Sequence, residues 1–341
     1  MQVLNKQNLE KVFDKLSSQA EVFLPMRRGD QSGYFSWKSF NSEVDEVVLD
    51  NLNVVQSPKK VVLPQTERMY DFQLDGNDVK VDKVYEDSGK RIIFGARACD
   101  VKAIDCLDKV FLTRGFEDEY YKVRRANTVI IAHACYQPGP NCFCQAMGVN
   151  CTDSESADVI LRDTTDGNYT WEAKTALGEE ITAIIAEILT EGQPEVEKLQ
   201  PFTLKVDYEG TAEILKNMFN HPVWESLSEP CMNCGICTYL CPTCYCFDIQ
   251  VKSWGDDGYR FRCWDSCMYS EYTQMAGGHN PRAATTERFR NRFLHKLQFF
   301  NERYGPSLCT GCGRCIIACP AGINITRIIA AIKEVNAGAQ V

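Results

Sequence analysis

The chain has 341 residues, 44% of them hydrophobic, with 46 acidic against 37 basic side chains and a formal charge of −9. That length suits two or three cores, while an acidic balance without a basic tract excludes nucleic acid as the expected partner. Neither a signal-peptide pattern nor an apolar run approaching the ~20 residues of a membrane span is evident, so the eighteen cysteines point to metal ligation in a reducing cytoplasm rather than to disulfides.

In chain order, residues 6–17 carry Leu9, Val12, Phe13 and Leu16 at helical spacing. Residues 22–26 and 34–40 read as strands across a Gly-containing turn. Arg91 to Gly95 reads as a short buried strand, and a helix follows over 101–111 with Asp100 as its expected N-cap. Thr128 to Ala132 is the next strand, so strand, helix and strand form a right-handed βαβ unit of a largely parallel sheet. Residues 151–175 are polar, and Asp166-Gly167 between two alternating runs predicts a surface hairpin. A helix near 179–189 and a linker over 190–194 complete an α/β N-terminal domain, residues 1–200. From about 211 a mainly helical, cysteine-rich region begins.

Cys99 and Cys135 stand just past the carboxyl ends of two predicted strands, the edge where open parallel sheets bind ligands. Pro138-Gly-Pro-Asn-Cys142-Phe-Cys144 follows, a turn able to fold Cys142 and Cys144 back towards Cys135. Four thiols at one edge are enough for a [4Fe–4S] cluster. Ordinary buried thiols, which pack as small hydrophobes, satisfy the same spacing.

The strongest pattern lies further on. Cys231, Cys234, Cys237 and Cys241-Pro form one C-x2-C-x2-C-x3-C-P run, and Cys309, Cys312, Cys315 and Cys319-Pro form another. This is the spacing that holds two [4Fe–4S] clusters in bacterial ferredoxins, with the fourth Cys of each run serving the other cluster. Cys231, Cys234, Cys237 and Cys319 are therefore expected at one cluster. Cys309, Cys312, Cys315 and Cys241 are expected at the second. Gly235, Gly311 and Gly313 let backbone N–H groups approach the sulfurs, and the proline ends each turn. Zinc takes two Cys pairs or a Cys/His mix, which does not predict two identical four-Cys runs. The expectation for 211–341 is a dicluster ferredoxin-like (α+β) domain with a long insertion between the runs.

Six cysteines remain. Cys106 falls inside the predicted helix and reads as core, and Cys151 has no evident partner. Cys244, Cys246, Cys263 and Cys267 fit either a further four-thiol site or apolar packing around the clusters, and packing is the expected role. Cys237, Cys241 and Cys244 reproduce a radical-SAM spacing only because the ferredoxin run overlaps them. His279, after two glycines, reads as a loop histidine. Arg288, Arg290, Arg292, His295 and Lys296 make a basic run in an acidic chain, expected at an interface or beside a cluster. No G-x-G-x-x-G, P-loop or nucleophile–base constellation is present.

Phe94-Gly-Ala-Arg-Ala-Cys-Asp100, Asn141-Cys-Phe-Cys144, Cys241-Pro-Thr-Cys-Tyr-Cys246, Trp264-Asp-Ser-Cys267, Met275-Ala-Gly-Gly-His279 and Arg288-Phe-Arg-Asn-Arg-Phe-Leu-His-Lys296 occur in that order. Together they resemble the iron–sulfur subunit family shared by anaerobic sulfite reductases and by cytoplasmic NiFe sulfhydrogenases, where it is the β subunit, from about residue 58 to 325. The resemblance implies a third cluster at Cys99, Cys135, Cys142 and Cys144. It also implies a hetero-oligomer in which this chain relays electrons between an FAD/[2Fe–2S] NAD(P)H-oxidising subunit and a catalytic hydrogenase or siroheme sulfite reductase. A heterodisulfide-type reductase as acceptor, or a free-standing ferredoxin-like carrier, are the alternatives.

Overall fold

Residues 91–96 are buried along their whole length, and Val129 to His133 nearly so. Such continuous apolar strands belong inside a sheet covered on both faces. In the computed structural model, which describes residues 1–50, 53–86 and 89–338, they pair in parallel at the middle of a nine-stranded mixed sheet. Its order is Thr190–Glu191, Gln2–Leu4, Tyr169–Ala173, Val159–Asp163, Thr128–His133, Arg91–Ala96, Glu21–Arg28 and Gln31–Ser36, with Asp45–Val47 also on Glu21–Arg28. The pairings of 21–28, 91–96, 128–133 and 159–163 are parallel, and the outer ones antiparallel. Helices Leu9–Ser17 and Ala176–Ile184 cover one face through Val12, Phe13, Leu16 and Ile181. Helix Ala98–Phe111 covers the other through Val101, Ile104, Leu107 and Phe111.

Three expectations need correction. Asp100 does not cap its helix, which starts at Ala98 after Arg97; its carboxylate is turned instead to Arg314. The hairpin around Asp166-Gly167 forms with its turn exposed, but its strands are buried rather than superficial. Val159, Ile160 and Leu161 are fully buried because their strand continues the parallel sheet beside 128–133. The expected linker includes Thr190–Glu191, which pairs with Gln2 and Val3.

The region after 211 is helical only in part. Thr211–Leu215, Val223–Ser228, Thr285–Leu294 and Ile325–Asn336 are helices, and Leu215, Trp224, Phe289, Phe293, Ile328 and Ile332 share one core. Between the two Cys runs, however, Phe247–Trp254 and Asp257–Trp264 form a hairpin. It joins Thr66–Asp75 and Asp78–Lys83 in a second, antiparallel sheet. Beneath that sheet Glu67 is 1% exposed and receives hydrogen bonds from Arg124 and, at 2.6 Å, from Arg262. Arg262 also donates to Asp118 at 2.6 Å. A buried carboxylate is tolerable only when paired in this way, so the network locks the hairpin onto the N-terminal half.

Candidate metal centre

The ferredoxin runs wind as their spacing demands. Each makes a one-turn helix, Ile236–Tyr239 and Arg314–Ile317, entered through a left-handed glycine, Gly235 or Gly313. Cys231, Cys234, Cys237 and Cys319 line a single cavity together with Cys315 of the second run, walled by Met268, Phe289, Phe293 and Ile323. Arg292 reaches into the same cavity. Its Nε donates to Cys237 Sγ at 3.0 Å, while its buried Nη1 has no partner among the described residues. A void ringed by thiols, with an unanswered cationic donor at its edge, fits an anionic iron–sulfur cube.

Cys241 lies with the second run. Lys296 Nζ donates to its Sγ at 3.0 Å and to Thr243 Oγ1 at 2.8 Å. Burial pushes the Cys309 thiol up to about 11 and the Cys315 thiol up to about 12; charge on Cys241 adds to both, opposed by Lys296 and Arg292 respectively. Cys319 thus stands with the first run, and the charge of Cys241 reaches Cys309 and Cys315 of the second.

On the sheet edge, Cys99, Cys135 and Cys144 pack as one buried group with Ala98 and Val149, and Cys142 is buried beside them. The chain gets there through a bulge at Gly95, whose φ of +78° suits glycine and where a Cβ would lie 2.5 Å from Leu49. Sequence reasoning missed a fifth member: Cys151 is 4% exposed in the same group, and its carbonyl accepts from Cys135 N at 2.8 Å. The only signal was Gly148, which turns the chain back after the short 144–147 helix.

This edge and the second run are in direct contact. Cys312 packs against the edge thiols, Phe143 N donates to Gly311 O at 3.0 Å, and Asn53 Nδ2 donates to Cys312 O at 3.0 Å. A Cβ on Gly311 would stand 2.5 Å from Cys144 N. The glycine therefore makes room for a neighbouring chain segment, a reason beyond the approach to sulfur. Arg314 closes the junction with two bonds to Asp100, at 2.6 and 2.8 Å, both residues buried.

Of the remaining cysteines, Cys106 is core beside Phe300 and Leu308. Cys246 and Cys267 adjoin one another, and Cys244 adjoins Cys241. Lys59 lies over this group, 3.7 Å from the Trp264 ring, with its Nζ donating to Cys244 O. Burial lowers its ammonium to about 8. Cys263 stays apart, on the strand opposite Asp248. His279 is exposed. In the basic run Arg288 is spent on the Met268, Arg282 and Ala283 carbonyls, Arg290 stacks on Phe219, and His295 meets Tyr245 at 3.0 Å. Only Arg292 and Lys296 touch sulfur. Among the described residues no three His, Cys, Asp or Glu side chains converge tightly enough for a single metal ion. A cubane makes no such demand, because each of its irons takes its own thiolate.

Among the described residues no helix is long and apolar enough to cross a membrane. Residues 230–323 match the 4Fe-4S dicluster domain family. Sulfhydrogenase 2 subunit beta of Pyrococcus furiosus is 30% identical over 344 residues, spanning 97% of this chain and 98% of that protein. No solved structure matches the chain. Its cofactors are [4Fe–4S] clusters. With the dicluster domain lying over both cysteine runs and the similarity spanning nearly its full length, the chain belongs to the iron–sulfur subunit family of sulfhydrogenases and anaerobic sulfite reductases.

Proposed function

We propose that this chain is the electron-transfer subunit of a cytoplasmic redox complex and carries three [4Fe–4S] clusters in line. Cys231, Cys234, Cys237 and Cys319 hold the first, and Cys309, Cys312, Cys315 and Cys241 the second. Cys99, Cys135, Cys142 and Cys144 hold the third, so residues 1–200 carry one cluster and 211–341 carry two. A bound cubane supplies one-electron exchange; the protein buries the thiolates, spaces them and surrounds them with charge.

The observation that carries this reading is the continuity of the thiol groups. Arg292 touches Cys237 with Cys315 in its field, and Cys312 packs on the sheet-edge group. The second group is therefore the middle station. Electrons would pass between an FAD/[2Fe–2S] NAD(P)H-oxidising partner and a catalytic one docked elsewhere on the chain. The sulfhydrogenase relative favours a NiFe hydrogenase in the catalytic role. The test is metal and haem analysis of the complex isolated natively, without oxygen, through a tag on this chain. Nickel is the expected result. Siroheme without nickel moves the chain to a sulfite reductase, and a monomer shuttling electrons alone overturns the relay.

A further inference from the structure

Helix Thr285–Leu294 and the π-helical turn His295–Phe299 that continues it form one rod past both dicluster thiol groups. Four residues apart on that rod, Arg292 and Lys296 project to the same side, one sulfur each. Both are 3% exposed. Their partners are Cys237 Sγ and carbonyl for Arg292, and Cys241 Sγ and Thr243 for Lys296. Among the described residues neither pairs with a carboxylate, although buried cations ordinarily require one. The sulfurs are the counter-charge. The sheet-edge group is built differently: Arg314, whose charge reaches Cys99 and Cys142, is already neutralised by Asp100.

We propose that Arg292 and Lys296 are positioning residues that set the reduction potentials of the two dicluster centres, raising both above what the cysteines alone would give. An added electron makes a cube and its thiolates more negative, so an uncompensated cation at hydrogen-bond distance stabilises the reduced form. Arg292 acts on both centres, since Cys237 takes its Nε and Cys315 and Cys241 lie in its field. Lys296 acts on the second. This rests on the ligand assignment proposed above.

The experiment is an EPR-monitored redox titration of the intact complex, with iron counted on the same samples. In R292Q, at full iron, the reduced-to-oxidised ratio at fixed poise falls at least tenfold for the first centre, which for one electron is a downward shift of about 59 mV. The second centre moves the same way by less. K296Q lowers the second centre alone, and R292K, keeping the charge, returns the first towards wild type. Unchanged midpoints at full iron overturn the inference. Iron loss from R292Q makes the role of Arg292 structural and overturns it there, leaving K296Q to decide for the second centre. Wild-type protein holding only one or no clusters would instead sink the ligand assignment.

Discussion

The two ferredoxin runs gather three thiols each from a single short stretch, whereas the sheet-edge group draws Cys99, Cys135, Cys142, Cys144 and Cys151 from separate pieces of chain. In the runs, two-residue gaps and a one-turn helix do the converging. At the edge, it is done by parallel strands 91–96 and 128–133 and by the loop that returns at Gly148. The surroundings differ as well. Arg292 and Lys296 meet the sulfurs of the runs without a carboxylate, while Arg314 beside the edge is paired with Asp100. Local geometry can build a site almost by itself, while a site assembled from distant segments depends on the whole sheet.

The largest test of that contrast is the double variant C142S/C144S. It should lose about four irons per chain, one cubane's worth, and keep the dicluster EPR signals, because the runs do not need the edge thiols. Loss of all iron would mean that the two regions are one cooperative site. R314M should come next. It strands the Asp100 carboxylate, 1% exposed, at the junction, and removing one partner of a buried pair costs about 3–5 kcal/mol. Chemical denaturation should read that loss, with the edge iron released first.

Mild acid should weaken the helical side by less. Burial holds the His295 imidazole down to about 4, with Lys296 and Arg303 adding repulsion, whereas the unfolded ring titrates near 6.5. The unfolded chain thus takes up a proton that the folded chain refuses. Stability present above pH 6.5 is lost as pH falls from there towards 4. The ring is only partly buried, so the loss by pH 5 is about 1 kcal/mol. Melting temperatures at pH 7 and pH 5 should show it, and H295Q should flatten it. Smallest of all is C151S, which should keep its iron while C144S loses about four atoms. The reverse result would exchange the two thiols in the ligand set.

How much of this could be read beforehand follows the same division. The helix expected over 6–17 (a 3-10 turn at Lys6–Asn8, then the α-helix Leu9–Ser17), the βαβ strands and both ferredoxin runs were legible because apolar period and cysteine spacing are local. Cys151 was not, since its partners are set by a loop that only the sheet positions. Asp100 was misread for a related reason: an acidic residue before a helical stretch looks like a cap, and its partner lies more than two hundred residues away at Arg314. The hairpin 247–264 was hidden inside a cysteine-rich stretch read as helical, although its alternation around Gly255 was a strand signal. In the basic run, charge was visible from the sequence. Which of five side chains would meet sulfur depended on helix phase.

The pairing of Thr66–Asp75 with Asp257–Trp264 has a consequence for how the molecule is made. On the ribosome, residues 66–83 have no sheet to complete until the 247–264 hairpin emerges, and contacts of such long separation are slow to form. The sheet-edge thiols likewise lack their neighbour Cys312 until the second run has been made. A nascent chain therefore carries uncovered cysteines until that run emerges. Iron loading belongs after the second run is in place, and oxygen met before then would strike the chain at its least protected.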